Sequence, residues 1–107
     1  MARLMSEITS YSFRIYVTGE TTRSWQAVAN LHRLCEAQLA GRYEMEVVDV
    51  VERPELAEQE RIIATPTVVR EAPPPKRRVV GDLSDLRLTA VSLGLPEPEG
   101  SDVRRQP

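Results

Sequence analysis

Cysteine and histidine are almost missing from this chain of 107 residues, which holds one of each, Cys35 and His32. A single thiol forms neither an internal disulfide nor a multi-thiolate centre, and a single imidazole leaves zinc almost without ligands. The two lie three positions apart in an apolar-periodic segment, so Cys35 reads as a small core residue rather than as half of a Cys-His nucleophile pair. Neither sign of charge is in clear excess: 14 Lys and Arg stand against 16 Asp and Glu, for a net −2. A general nucleic-acid binder needs a basic surplus to neutralise phosphates, so none is expected as a partner. No apolar run approaches the roughly 20 residues of a membrane span. The stretch through Ser10 sets Arg3 and Glu7 among scattered apolar residues and lacks the continuous apolar core of a secretory signal. A cytoplasmic protein without membrane contact is expected. No glycine-rich loop followed by Lys-Ser or Lys-Thr is present, so nucleotide binding has no support either.

What is present suits one soluble domain. The apolar fraction is 41% and the charged fraction 28%, ordinary values for a chain that buries one modest core. Phe13, Arg14, Ile15, Tyr16, Val17 and Thr18 are rich in β-branched and aromatic types and predict a strand, ended by Gly19. Thr21, Thr22 and Ser24 offer capping hydroxyls. After them Val28, Leu31, Cys35 and Leu39 form one stripe, with Ala27 and Leu34 beside it, predicting a helix over 24–40 closed by Gly41 as C′ residue. A second strand is expected over 45–51, and a short helix from Pro54 to about Arg61 with Glu55 and Glu58 near its positive end. Strands at 67–70 and 78–80 flank Pro73-Pro74-Pro75, and Asp82 or Ser84 is expected to cap a last helix over 85–94. Residues 1–10 and 96–107 are expected to be flexible ends around a domain at 11–95.

The order βαβαββα is thioredoxin-like: an α/β fold with a mixed sheet and helices on both faces. Redox chemistry does not come with it. Thioredoxin-like enzymes carry two cysteines at the start of the first helix, where this chain reads Gly19-Glu20-Thr21-Thr22-Arg23-Ser24. No catalytic group, metal or cofactor is expected. Glu44, Glu46, Asp49, Glu52, Glu55, Glu58 and Glu60 read as a solvated acidic face.

Charge is nevertheless segregated. From Glu44 to Glu60 seven acids face Arg53 alone, a net of −6, whereas Arg70, Lys76, Arg77 and Arg78 against Glu71 give +3. Such a dipole either steers a charged protein partner or guards a sheet edge against unwanted pairing. Thr65-Pro66 and the run Pro73 to Pro75 hold bonds that isomerise over tens of seconds, and thioredoxin-like folds place a cis proline at the first of these. The C-terminal segment fits two patterns. Leu83, Leu86, Ala90 and Leu93 share a helical face, while Thr89, Val91, Leu93 and Leu95 alternate as in a strand.

Several motifs in fixed order resemble the KaiB family of circadian-clock proteins over Tyr11 to Leu95. They are Tyr16-Val17-Thr18-Gly19, Gly41-Arg42-Tyr43, Val47-Val48-Asp49-Val50, Pro54-Glu55-Leu56-Ala57-Glu58, Ile63-Ala64-Thr65-Pro66-Thr67, Pro73-Pro74-Pro75 and Arg77-Arg78-Val79-Val80-Gly81-Asp82-Leu83-Ser84. The resemblance implies a non-enzymatic regulator that binds the hexameric ring ATPase and autokinase KaiC and helps to time its phosphorylation cycle. It implies a metamorphic chain. A free homo-oligomer, tetramer or dimer, has a differently folded C-terminal half, and a rare thioredoxin-like monomer captures KaiC. KaiA and a clock-output histidine kinase pathway are further implied partners. The family's partner-binding cations fall at Arg61, Arg70, Arg77 and Arg78, and the positions assigned to the refolding half are Pro66, Pro73, Pro74, Pro75, Ser92 and Gly94. A basic position of the family in strand two is Glu46 here. Its Gly-Leu-Asp reads Ser92-Leu93-Gly94, and its acidic tail is replaced by a short one with Arg104 and Arg105. The alternative reading is a sensor-like interaction domain in stress or two-component signalling, independent of KaiC timing.

Overall fold

The structure is a computed structural model, and it describes residues 10–96. Apart from Ser10 and Pro96, the ends expected to be flexible lie outside the described residues. The elements follow the order β1 (Tyr11–Val17), α1 (Thr22–Gln38), β2 (Tyr43–Asp49), α2 (Pro54–Glu60), β3 (Thr67–Ala72), β4 (Arg77–Val80) and α3 (Leu86–Leu93). The strands form one sheet in the order β2-β1-β3-β4. β1 runs parallel to β2, with Tyr11 opposite Tyr43 and Val17 opposite Asp49, and antiparallel to β3; β3 and β4 form an antiparallel hairpin. This is the expected mixed βαβαββα sheet.

The alternation of β1 sorts the core into two layers. Phe13, Ile15 and Val17 face Ala27, Leu31 and Cys35 of α1, Leu39 just beyond it, and Leu93 of α3. On the opposite face, Tyr16, Val48 and Val69 pack with Leu56 and Ile62 around α2. Helices therefore cover both faces, and the larger core lies under the apolar stripe legible in α1.

Local chemistry moves several boundaries. Thr21 is the N-cap of α1, its hydroxyl accepting from the Ser24 N–H at 3.1 Å, so the helix begins at Thr22 rather than Ser24. It ends at Gln38, where Leu39 turns out of helical geometry, and Gly41, with φ +76°, serves the following turn instead of the C′ position. β2 spans 43–49, not 45–51, because Asp49 Oδ1 accepts from the Val51 N–H at 2.9 Å and folds the chain into a turn. Neither Asp82 nor Ser84 caps α3. Asp85 does, accepting from the Leu88 N–H at 3.0 Å, while Asp82 closes a turn with the Ser84 N–H.

The doubly patterned segment is helical. Thr89, Ala90 and Leu93 are buried and Gly94 ends the helix in the left-handed region, φ 69°. The peptide bonds before Pro66, Pro73 and Pro75 are cis.

Candidate partner-binding surface

The hairpin β3–β4 sets its cations on two faces, because successive side chains of a strand point to opposite sides. Arg70 and Arg77 are register partners across the hairpin and lie on the α3 side. Arg78, opposite Val69, lies on the α2 side.

On the α2 side, Arg61 follows the last helical residue in the left-handed region (φ 58°, ψ 50°) and is exposed. Arg78 reaches across to this end of α2, where its Nη2 donates to the Glu60 carbonyl and to Glu60 Oε2, both at 2.9 Å. A helix C-terminus carries partial negative charge and unpaired carbonyls, so a guanidinium is stabilised there. Lys76 Nζ joins the same carboxylate at 2.9 Å and Glu71 at 3.4 Å. The hydrogen bond to Glu60, reinforced by Glu71, raises the Lys76 pKa above its usual value. Beside this network an open groove of about 370 Å³ is lined by Val50, Pro54, Ala57, Ile62, Ile63 and Thr65. Ile63 is 95% exposed at its rim. The Thr18 and Thr65 hydroxyls share a hydrogen bond of 2.6 Å across the entrance.

On the α3 side the arrangement is different. Arg70, expected among the partner-binding cations, is only 4% exposed. Its Nη1 donates to the Leu93 carbonyl at 2.8 Å and its Nη2 to the Pro75 carbonyl at 2.9 Å, with the guanidinium 5.9 Å from the Tyr11 ring centroid. It ties the hairpin loop, the end of α3 and the first strand together, and it presents no donor outward. Arg77 is exposed next to it, its side chain lying against Gly94. The structure thus brings Arg61, Arg78 and Lys76 together around α2, sets Arg77 on the hairpin's other side, and withdraws Arg70 into the interior. Pro73 is half-buried, while Pro74 and Pro75 are exposed in the hairpin loop. Pro66 is buried at the start of β3, and Ser92 is half-buried on α3.

Cys35 is buried in the core, and burial pushes its thiol up to about 12. Among the described residues no group of three His, Cys, Asp or Glu side chains could hold a metal, and no helix is long and apolar enough to cross a membrane.

The model of the KaiB domain family matches residues 14–95. The chain belongs to the KaiB family. A Synechocystis relative, "Circadian clock protein KaiB3", is 43% identical over 91 residues, covering 85% of this chain and 88% of its own. A Synechococcus relative, "Circadian clock oscillator protein KaiB", is 41% identical over 98 residues, covering 92% and 89%. Among solved structures, the N-terminal domain of Synechococcus elongatus SasA is similar at TM-score 0.66 and 22% identity, over 78% of this chain and 80% of that one. Chloroplastic thioredoxin z follows at TM-score 0.63 and 22% identity, over 85% of each. These two likenesses establish the thioredoxin-like fold. Membership in the KaiB family makes this chain a non-enzymatic protein.

Two features of this KaiB-family surface escaped the sequence reading: the exposed Ile63 beside α2, and Trp25 in the first turn of α1, 59% exposed. Trp25 precedes Val28 by three, in line with the stripe of Val28, Leu31, Cys35 and Leu39, so spacing gave no sign of its exposure.

Proposed function

We propose that this chain is a circadian or timing regulator that docks on a hexameric KaiC-type ring ATPase through the α2 side of its sheet and modulates the partner's phosphorylation and ATPase cycle. The observation that carries this reading is the juxtaposition of Arg61 and Arg78 at the end of α2 with the exposed Ile63 and its groove. Charge selects an acidic partner surface and steers the encounter, while an apolar anchor supplies affinity. Arg77 extends the contact along the edge strand. Arg70 acts indirectly, by holding the hairpin that presents the other cations. Names of relatives that call them circadian clock proteins support the same role.

The free chain is a homo-oligomer with a refolded C-terminal half, involving Pro66, Pro73, Pro74, Pro75, Ser92 and Gly94. The thioredoxin-like form is the one captured by the ring. If that form makes up about 1% of the free protein, apparent affinity falls about a hundredfold until capture. KaiA or a clock-output histidine kinase pathway would then meet the captured form.

Native mass spectrometry of the full chain, incubated for hours with a KaiC-type ATPase and ATP, tests this. A ring complex forming slowly from a free oligomer, with up to one copy per ring subunit, is expected. Rapid binding from a free monomer would retain the partner and discard the refolding step. No complex under any nucleotide condition would favour a sensor-like interaction domain, a reading that the fold shared with the SasA N-terminal domain keeps in view.

A further inference from the structure

The two faces of the hairpin differ in how their cations are matched. On the α2 side, Arg78 and Lys76 meet the Glu60 carboxylate, and Lys76 meets Glu71 as well. On the α3 side, among the described residues, no carboxylate pairs with Arg70 or Arg77. Arg70 is 4% exposed, and a buried cation without a counterion is costly to keep. The carbonyls of Leu93, Gly94 and Pro75 accept from its Nη atoms at 2.8, 3.4 and 2.9 Å, while its buried Nε has no partner among the described residues. Arg77, its register partner on β4, is exposed, and its side chain makes no ion pair with a described residue. Both guanidiniums converge on Gly94: Arg70 Nη1 and Arg77 Nε each lie 3.0 Å from the place that a Cβ there would occupy. Two like charges are thus held side by side at the end of α3, with an exposed glycine beside them. The helix dipole and its last carbonyls offset only part of that charge.

We propose that this pair is an oxyanion site, which takes the phosphate group of a small molecule beside Gly94. Arg77 supplies the exposed contact, because its planar fork donates two parallel hydrogen bonds to phosphate oxygens. Arg70 stays enclosed next to it and contributes charge, which acts over several ångströms where water is scarce. A phosphate monoester carries about −1.5 to −2 charge at pH 7 and so matches two guanidiniums, where chloride or one carboxylate matches a single one. Gly94 keeps the place open, since any larger residue would press its side chain against both guanidiniums. Nucleic acid and anionic bilayers need a broad basic field, and a chain of net −2 with two local cations does not supply one. The site forms only where the hairpin and the end of α3 meet, so phosphate stabilises the thioredoxin-like fold by mass action. Where Arg77 also meets an acidic ring surface, as proposed above, phosphate competes for it; the site itself does not rest on that reading.

Nitrogen-15 NMR spectra of the full chain test this, with inorganic phosphate or adenosine monophosphate titrated at an ionic strength held constant with chloride. The Arg77 Nε–H and Gly94 amide signals are expected to shift saturably with both ligands. If the free chain rests in the refolded form, phosphate is expected instead to raise the signals of the helical α3, again saturably. Equal responses to the two ligands show that inorganic phosphate suffices, and a stronger one to adenosine monophosphate assigns a phosphate ester; either supports the site. Arg77→Gln is expected to weaken the response about tenfold, the effect of losing a charge-assisted hydrogen bond. Gly94→Asp places a carboxylate beside both guanidiniums, in a conformation that Asp tolerates, and is expected to abolish it. Arg87→Gln removes an exposed cation from the other end of α3 and is expected to leave it unchanged. The proposal is overturned if neither shifts nor populations respond to phosphate. It is equally overturned if chloride alone reproduces the response, which would leave an adventitious ion only, or if Arg87→Gln lowers it as much as Arg77→Gln. Tighter phosphate binding by Glu97→Gln with Glu99→Gln would make the chain's own carboxylates the occupant and overturn the assignment to a small molecule. The ring ATPase takes no part in these titrations, so the two readings fail separately.

Discussion

Arg70 and Arg78, on neighbouring strands of one hairpin, cap the C-termini of two different helices on opposite faces of the sheet. Arg70 donates to the Leu93 carbonyl at the end of α3, and Arg78 to the Glu60 carbonyl at the end of α2. The hairpin is thereby fastened on both sides by charge-to-carbonyl hydrogen bonds at helix ends, where the macrodipole favours a cation. The two caps differ in exposure: Arg70 is enclosed, whereas Arg78 stays at the surface.

Arg70→Met removes a buried guanidinium and leaves the Leu93 and Pro75 carbonyls without their donor. A loss of about 2–4 kcal/mol is expected, since unpaired buried groups cost their desolvation and the helix end loses its countercharge. Urea unfolding followed by circular dichroism measures it. A loss under 0.5 kcal/mol would show that the clamp is unimportant.

Arg77→Ala with Arg78→Ala acts on the partner instead. Arg77 is exposed and Arg78 forms a partly solvated pair with Glu60, so the stability cost is expected to stay near about 1 kcal/mol. Binding to a KaiC-type ring is expected to fall about tenfold or more. Unchanged binding by both fluorescence and co-sedimentation would remove these residues from the contact.

Gly94→Ala strains the end of α3. The residue has φ +69°, and an added Cβ would lie 3.0 Å from both Arg70 Nη1 and Arg77 Nε. A destabilisation of about 1–2 kcal/mol is expected from the positive φ and the displaced clamp together. Hydrogen exchange at the amides of α3 should accelerate by the corresponding factor, and unaltered protection would contradict the assignment.

Cys35 supplies a pH dependence with a definite sign. Burial raises its pKa from 9.0 to about 12 in the folded chain. The folded state therefore keeps its proton where the unfolded state ionises. The contribution to stability is complete below pH 9 and is lost as pH rises from there toward 12, at up to about 1.4 kcal/mol per pH unit. Cys35→Ala should flatten that slope. At neutral pH the native thiol should resist iodoacetamide until the chain is unfolded, and rapid native labelling would contradict its burial.

The strands, the stripe of α1 and the βαβαββα order were legible because each rests on local periodicity and on turn residues. Gly19 and Pro54 marked their boundaries correctly. The misplaced ends of α1, β2 and α3 came from competing side-chain oxygens. Thr21, Asp49 and Asp85 each captured a backbone N–H that pattern alone assigned elsewhere. The C-terminal segment was legible only as an ambiguity, since Leu93 serves either period.

Sequence by itself determined the fold class and the family, through motifs whose order survives without any coordinates. It also revealed that acids and bases are segregated along the chain. Only the tertiary structure decided where each of four similar arginines lies. Arg61, Arg77 and Arg78 remain at the surface while Arg70 is enclosed by Tyr11, the hairpin loop and the end of α3. Burial depends on what the fold brings over a side chain from distant parts of the chain, and neither residue type nor spacing encodes that directly.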